Sequence, residues 1–131
     1  MITRESMIQP MLAASPEFEP TWRAFLAEWN EDPHGPPIYL LLSDLARHIS
    51  QLVDRGESTT LRLVFDVIES WHTDGDPYVK EAASVGLLED LQNTNLVAKS
   101  AQAACIKLLG PESLKSWQQV EEFWKRVGAA Q

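Results

Sequence analysis

Cysteine is almost missing from this chain. Cys105 is the single one among 131 residues, so no disulfide can close within the chain, and a reducing cytoplasm is the expected location. Set in AQAACIKLL, it reads as a small core residue rather than a reactive thiol. Positive charge is also scarce. Eleven Lys and Arg stand against nineteen Asp and Glu, a formal net charge of −8, which argues against a nucleic-acid partner. No apolar run reaches the length of a membrane span, and MITRESMIQPML lacks the basic segment and apolar stretch of a secretory signal, so no membrane partner is expected. No strand is convincing, because runs such as IYLLL sit within helical spacing. No fixed-period repeat supports a strict solenoid.

What is present is a series of amphipathic helices with short links. The length fits one domain, 1–131, able to bury a core without staples. The stretch Glu57–Asn93 reads as two helices joined at Asp74-Gly75-Asp76-Pro77. Gly75 is expected to end the first in a left-handed conformation. Asp76 then caps the second, and Pro77 takes its first position, where the missing N–H costs nothing. On the first helix Leu61, Val64, Phe65, Ile68 and His72 share a side. Leu63, Val67 and Trp71 widen this to roughly 200° of arc, which predicts a central helix. On the second, Ala82, Ala83 and Gly86 permit close approach of another backbone. Glu89 falls beside Tyr78, Ala82 and Val85, as a candidate partly buried carboxylate.

Around this pair the pattern repeats. Residues 1–15 predict a short helix using Ile2, Met7, Ile8, Met11 and Leu12, interrupted by Pro10. SPEFEP is a connector. TWRAFLAEWN places Trp22, Phe25, Leu26 and Trp29 in one stripe, and EDPHGPP, with an exposed His34, breaks the chain. Ile38–Asp54 is a clean amphipathic helix, its apolar side covering about 140° from Ile38 to Val53. Asp44 can pair with Arg47 or His48 on it. Gly56 ends it. Leu96–Leu109 is Ala-rich, with Val97, Ala101, Ala104, Cys105 and Leu108 in line. Gly110-Pro111 starts the last helix, to about Val127, with Leu114, Trp117, Val120, Phe123 and Trp124 as its core stripe; the tail after it frays. Trp22, Trp29, Trp117 and Trp124 all read as core. The expected fold class is all-α: a compact antiparallel helical bundle or short stacked helix-pair array of about six to seven helices.

No catalytic set is legible. Glu69 and His72 form one E-x-x-H spacing. A helical di-metal site needs two such motifs and further glutamates, so a satisfied histidine is the better reading. Asp74-Gly-Asp76 lacks the ligand series of a calcium loop, and capping explains it. The serines lie in no nucleophile motif, and no phosphate loop occurs. No enzyme activity, metal or cofactor is expected.

Charge is unevenly spread. Residues 1–56 carry eight acids and four bases, residues 57–95 eight acids and two bases, and residues 96–131 three acids and five bases. An acidic middle keeps the protein soluble and can also face a basic partner. The candidate partner-binding residues are Asp66, Glu69, Asp74, Asp76, Glu81 and Asp90.

Three segments carry a resemblance: PPIYLLLSDLARHI, FDVIESWHTDGDPYVKEAASVGLLEDLQN and LLGPESLKSWQQVEEFW. Across residues 36–124 they resemble a family of small, acidic, all-helical bacterial proteins of unknown activity, similar to immunity proteins of bacterial toxin systems. The resemblance implies a protein that binds a cognate toxin with a basic surface and occludes its active site. Glu69 and Glu89 match the family's signature glutamates, and both can serve as hydrogen-bonding groups between helices. An intracellular helical adaptor or regulatory protein-binding module is the alternative.

Overall fold

Two residues after the third helix, Gly56 takes the left-handed conformation at φ 67° and turns the chain into the next helix. That reversal, followed by the one at Gly75, folds three consecutive helices onto each other. The computed structural model describes residues 1–129. Among these it has seven helices and no strand. They are α1 (Ile8–Ala14), α2 (Glu19–Glu28), α3 (Ile38–Asp54), α4 (Ser58–Asp74), α5 (77–91), α6 (Lys99–Ile106) and α7 (Pro111–Ala129). The expected all-α class and helix number are borne out.

The cleanest periodicity gave the cleanest boundaries. α3 spans the expected Ile38–Asp54, and Ile38, Leu41, Leu42, Leu45, Ala46, Ile49 and Leu52 are buried. Asp44 pairs with Arg47 at 3.1 Å. α1 is short, as expected, but Pro10 does not interrupt it. Proline there is the third helical residue, whose N–H has no intrahelical acceptor anyway. SPEFEP is more than a connector: Pro16–Phe18 forms a 3₁₀ turn running straight into α2, and Phe18 is buried. In α2, Phe25 is buried, Trp22 and Trp29 are half-buried, and Leu26 is exposed. α6 is shorter than its Ala-rich stretch, with Val97, Ala101 and Cys105 buried. Of the expected fraying tail, Gly128 and Ala129 are still helical, and 130–131 lie outside the described residues.

The turn between α4 and α5 forms where expected but for a different reason at its glycine. Asp76 accepts a bond from Val79 N–H at 2.9 Å, and Pro77 begins α5. Gly75, however, is extended, with φ −70° and ψ 150°. A Cβ there would collide with the Trp71 carbonyl oxygen and lie 2.7 Å from Val79 Cγ1. Space, not handedness, requires glycine. Ile2 clips onto this turn: its N–H donates to the Asp74 carbonyl and its carbonyl accepts from Asp76 N–H, both at 2.8 Å.

The centre of the bundle also shifts relative to expectation. α4 buries Leu61, Val64, Phe65, Ile68 and Trp71, and Trp71 donates its indole N–H to the Met7 carbonyl at 3.0 Å, holding α1. Yet Leu63 is 48 % exposed and Val67 half-buried, so the buried arc is narrower than 200°. The more enclosed element is the middle of α5, which packs on α3, α4 and α7. There Ala82–Leu88 forms a π-helical segment between the α-helical ends Pro77–Glu81 and Glu89–Leu91. Ala82, Ala83, Gly86, Leu87 and Leu88 are all buried. A Cβ on Gly86 would stand 2.9 Å from Leu42 Cδ1 and 3.2 Å from Tyr39 Cδ1, so this glycine sets how close α3 comes.

Candidate interaction surface

The six acids expected to meet a partner divide into two groups. Glu69, in the fourth turn of α4, spends its carboxylate inside the fold. It accepts from Ser113 N–H at 2.9 Å, Ser113 Oγ–H at 2.7 Å and Glu112 N–H at 3.0 Å. It thereby caps α7, whose first-turn N–H groups have no partners of their own. Burial works to raise the Glu69 carboxyl, but these donors outweigh it, with help from His72, and hold it below the usual range. Asp76 caps α5. Asp90 is half-buried and accepts from Ser43 Oγ–H on α3 at 2.9 Å. Burial raises its pKa against the opposing pull of that bond and of Arg47.

Asp66, Asp74 and Glu81 form the other group. All three are exposed, and among the described residues none closes a salt bridge or a side-chain hydrogen bond. Asp66 and Asp74 lie along the exposed strip of α4, and Glu81 follows on α5. They are free to meet a partner's charge without breaking a contact of the fold.

Glu89 behaves unlike Glu69. It is half-buried, borders an open groove of about 270 Å³ with Ser84, Val85, Ser116 and Phe123, and accepts no side-chain bond among the described residues. Burial raises its pKa, and neighbouring Asp90 adds to the rise. The expected partly buried carboxylate is there, without the expected hydrogen-bonding role.

His72 is the half-buried, satisfied histidine that its place beside Glu69 implies on one edge only. Its Nδ1 lies 2.9 Å from the Ile68 carbonyl and 3.3 Å from Ser113 Oγ. Its Nε2 is buried without a partner. Burial depresses its pKa, so the ring is neutral, with Nδ1–H as the donor to Ile68. Glu69, Ser113 and His72 are thus in contact, but the Ser113 hydroxyl is fully buried and donates to Glu69. That arrangement holds α7 to α4 rather than presenting a nucleophile. Among the described residues no group of three or more His, Cys, Asp or Glu is placed to hold a metal.

Two features escaped the sequence reading. Of the two partners expected for Asp44, Arg47 takes the place, and His48 is buried instead, its Nε2 2.7 Å from Ser15 Oγ and its ring 5.3 Å from that of Phe18. And the apolar stripe of α7 is not all core. Trp117 and Val120 are buried, but Phe123 is 45 % and Trp124 43 % exposed, their rings 5.5 Å apart. The periodicity was the available signal, and it does not say where the body beneath a helix stops. Cys105 is buried as expected, its thiol pushed up to about 12 by burial.

This is an all-α helical domain with a capped, glutamate-locked core and two exposed features, one acidic and one aromatic. It belongs to a family described as a domain of unknown function, DUF7674, whose model matches residues 8–125. Comparison with curated proteins and with solved structures brings no match. Among the described residues no helix is long and apolar enough to cross a membrane.

Proposed function

We propose that this chain is an immunity protein that binds a cognate interbacterial toxin and occludes its active site, using Asp66, Asp74 and Glu81 against a basic cleft. The observation that supports the reading is the sorting of the acids. Three are bound into the fold as caps and helix ties, and these three remain exposed and unpaired on the central hairpin. Unpaired surface charge of one sign speeds encounter with an opposite surface and rejects like-charged ones. The family resemblance across residues 36–124 implies a partner of the same kind.

The test is co-expression with the product of the adjacent gene. Protection of the cells, and a complex formed from the purified pair, is the expected result; a toxic neighbour that kills regardless would sink the immunity reading. The triple variant Asp66→Lys, Asp74→Lys, Glu81→Lys should keep its fold and associate about tenfold or more slowly, most clearly at low salt. Association unchanged by these reversals would remove the acidic strip from the contact.

A further inference from the structure

One carboxylate borders a hollow without a partner. Glu89 lines the groove of about 270 Å³ between α5 and α7. Among the described residues its side chain enters no salt bridge and no hydrogen bond. The fold gives this acid nothing to bind, while burial and the neighbouring Asp90 both work against its charge. A charge held against the preference of the fold, in a concave surface, points to a ligand of opposite sign. Among the described residues no Lys, Arg or His lines the groove, so the ligand has to bring the positive charge.

The walls around Glu89 define the rest of that ligand. On α5, Val85 lies one turn before Glu89 on the same face and is exposed. Opposite, Ser116, Gln119, Val120 and Phe123 span one arc of about 100° on α7. Val85, Val120 and the half-exposed Phe123 suit a hydrocarbon stem, and the Phe123 ring also attracts a cation. Ser84, Ser116 and Gln119 add neutral acceptors beside the carboxylate. At about 270 Å³ the hollow is smaller than the pockets that enclose a drug-sized ligand, about 300 Å³ and upward, and has room for one long side chain. A guanidinium carries five donors in a plane, so it can use several acceptors and lie against a ring at once. A compact ammonium cannot.

We infer that the groove between α5 and α7 receives an arginine side chain of a partner protein, its stem on Val85, Val120 and Phe123 and its guanidinium on Glu89. Arginine is among the residues that most often anchor a protein interface. The groove also adjoins the acidic strip: Glu81 borders a second hollow, and Ser84 and Ser116 line both. One basic partner surface can therefore cover strip and groove together. The inference rests on the proposed function only for the source of the arginine; the groove's preference for a guanidinium stands on its own residues.

Titration of the full chain with the blocked peptide acetyl-Ala-Arg-Ala-amide, followed residue by residue by NMR, tests it without any toxin. Saturable shifts centred on Val85, Glu89, Ser116 and Phe123 are expected, with a dissociation constant of about 1–10 mM for so small a ligand. The citrulline counterpart keeps the shape and loses the charge, and should bind about tenfold more weakly or worse. Glu89→Gln should weaken the arginine peptide by a similar factor, and Phe123→Leu by about threefold. Thermal melts of both variants separate lost binding from lost fold. Absence of saturable shifts at these residues overturns the inference, as does binding that survives Glu89→Gln. Equal binding of the lysine peptide overturns the assignment to arginine. The two readings fail separately: a neighbouring toxin that kills regardless leaves peptide binding intact, and a groove that ignores the peptide leaves the acidic strip and protection of the cells intact.

Discussion

The Glu69 carboxylate and Ser113, forty-four residues apart, meet through two hydrogen bonds, from the Ser113 backbone N–H at 2.9 Å and from its hydroxyl at 2.7 Å. One side chain of α4 thus does for α7 what a local capping residue does for most helices. The contact also explains a glycine. A Cβ at Gly110 would stand 2.5 Å from Glu69 Cδ, so the residue before α7 has to be small for the carboxylate to reach.

Removing this cap from either side should therefore destabilise the protein. Glu69→Ala leaves two backbone N–H groups and a buried hydroxyl without their acceptor, at a cost of about 2 kcal/mol. Gly110→Ala pushes the carboxylate off and should cost a similar amount. Urea midpoints for the two variants and for their combination check this. Because both act on one contact, the double variant should lose clearly less than the two single losses together.

Glu69 and Glu89 should respond oppositely to neutralisation. Glu69→Gln loses acceptor capacity for three donors and is destabilising at neutral pH. Glu89→Gln removes a charge that burial and Asp90 already disfavour, so it should be neutral or stabilising. Thermal melts at pH 7 of both variants distinguish them. A strongly destabilised Glu89→Gln would mean that the carboxylate is held by a contact the fold does not show.

Stability should fall in two stages on acidification. Burial lowers the pKa of His48, with Arg55 acting the same way and Glu17 and Glu57 opposing. His72 is lowered by burial against Ile68, Glu69 and Glu112. A base with a lowered folded pKa binds its proton more readily in the unfolded chain. Stability is then fully present above about pH 6.5, the usual histidine value, and declines as pH falls toward the folded values. Glu69 adds a second decline, beginning below about pH 4.5 as its depressed carboxyl is protonated. Denaturation midpoints between pH 7 and 5 should be flatter for His48→Gln than for the parent. An equal slope in both would show that His48 does not carry the first stage.

Gly86→Ala tests the close packing of the π-helical segment. Its added methyl would overlap Leu42 and Tyr39 of α3, so a loss of about 1–3 kcal/mol is expected. Alanine at Gly128, where a Cβ meets nothing within 4 Å, should cause no such loss. Chemical denaturation of the two variants gives the comparison.

Where local chemistry suffices, the elements were legible. Ile38–Asp54 has one apolar face, a proline before it and a glycine after it, and each of these acts within a few residues. Asp76 and Pro77 begin α5 for equally local reasons. The π-helical segment is different, because its extra residue per turn is stabilised by packing on three neighbouring helices rather than by a residue type. The candidate acids show the same division. The chain places all six on or beside the central hairpin, but whether an acid is spent or free depends on partners such as Ser43 and Ser113, tens of residues away.

By itself, then, the sequence determined the helical class, most helix boundaries, the caps at Asp76 and Pro77, and the burial of Cys105, because periodicity and capping act over a turn or two. Tertiary structure decided which side chains that look alike differ in role. Glu69 became a cap and Glu89 a half-buried groove carboxylate, His48 a buried partner of Ser15, and Trp117 core while Trp124 stayed exposed. Each of these depends on what another helix places against the residue, and a sequence pattern carries the face of a helix but not the extent of the body that covers it.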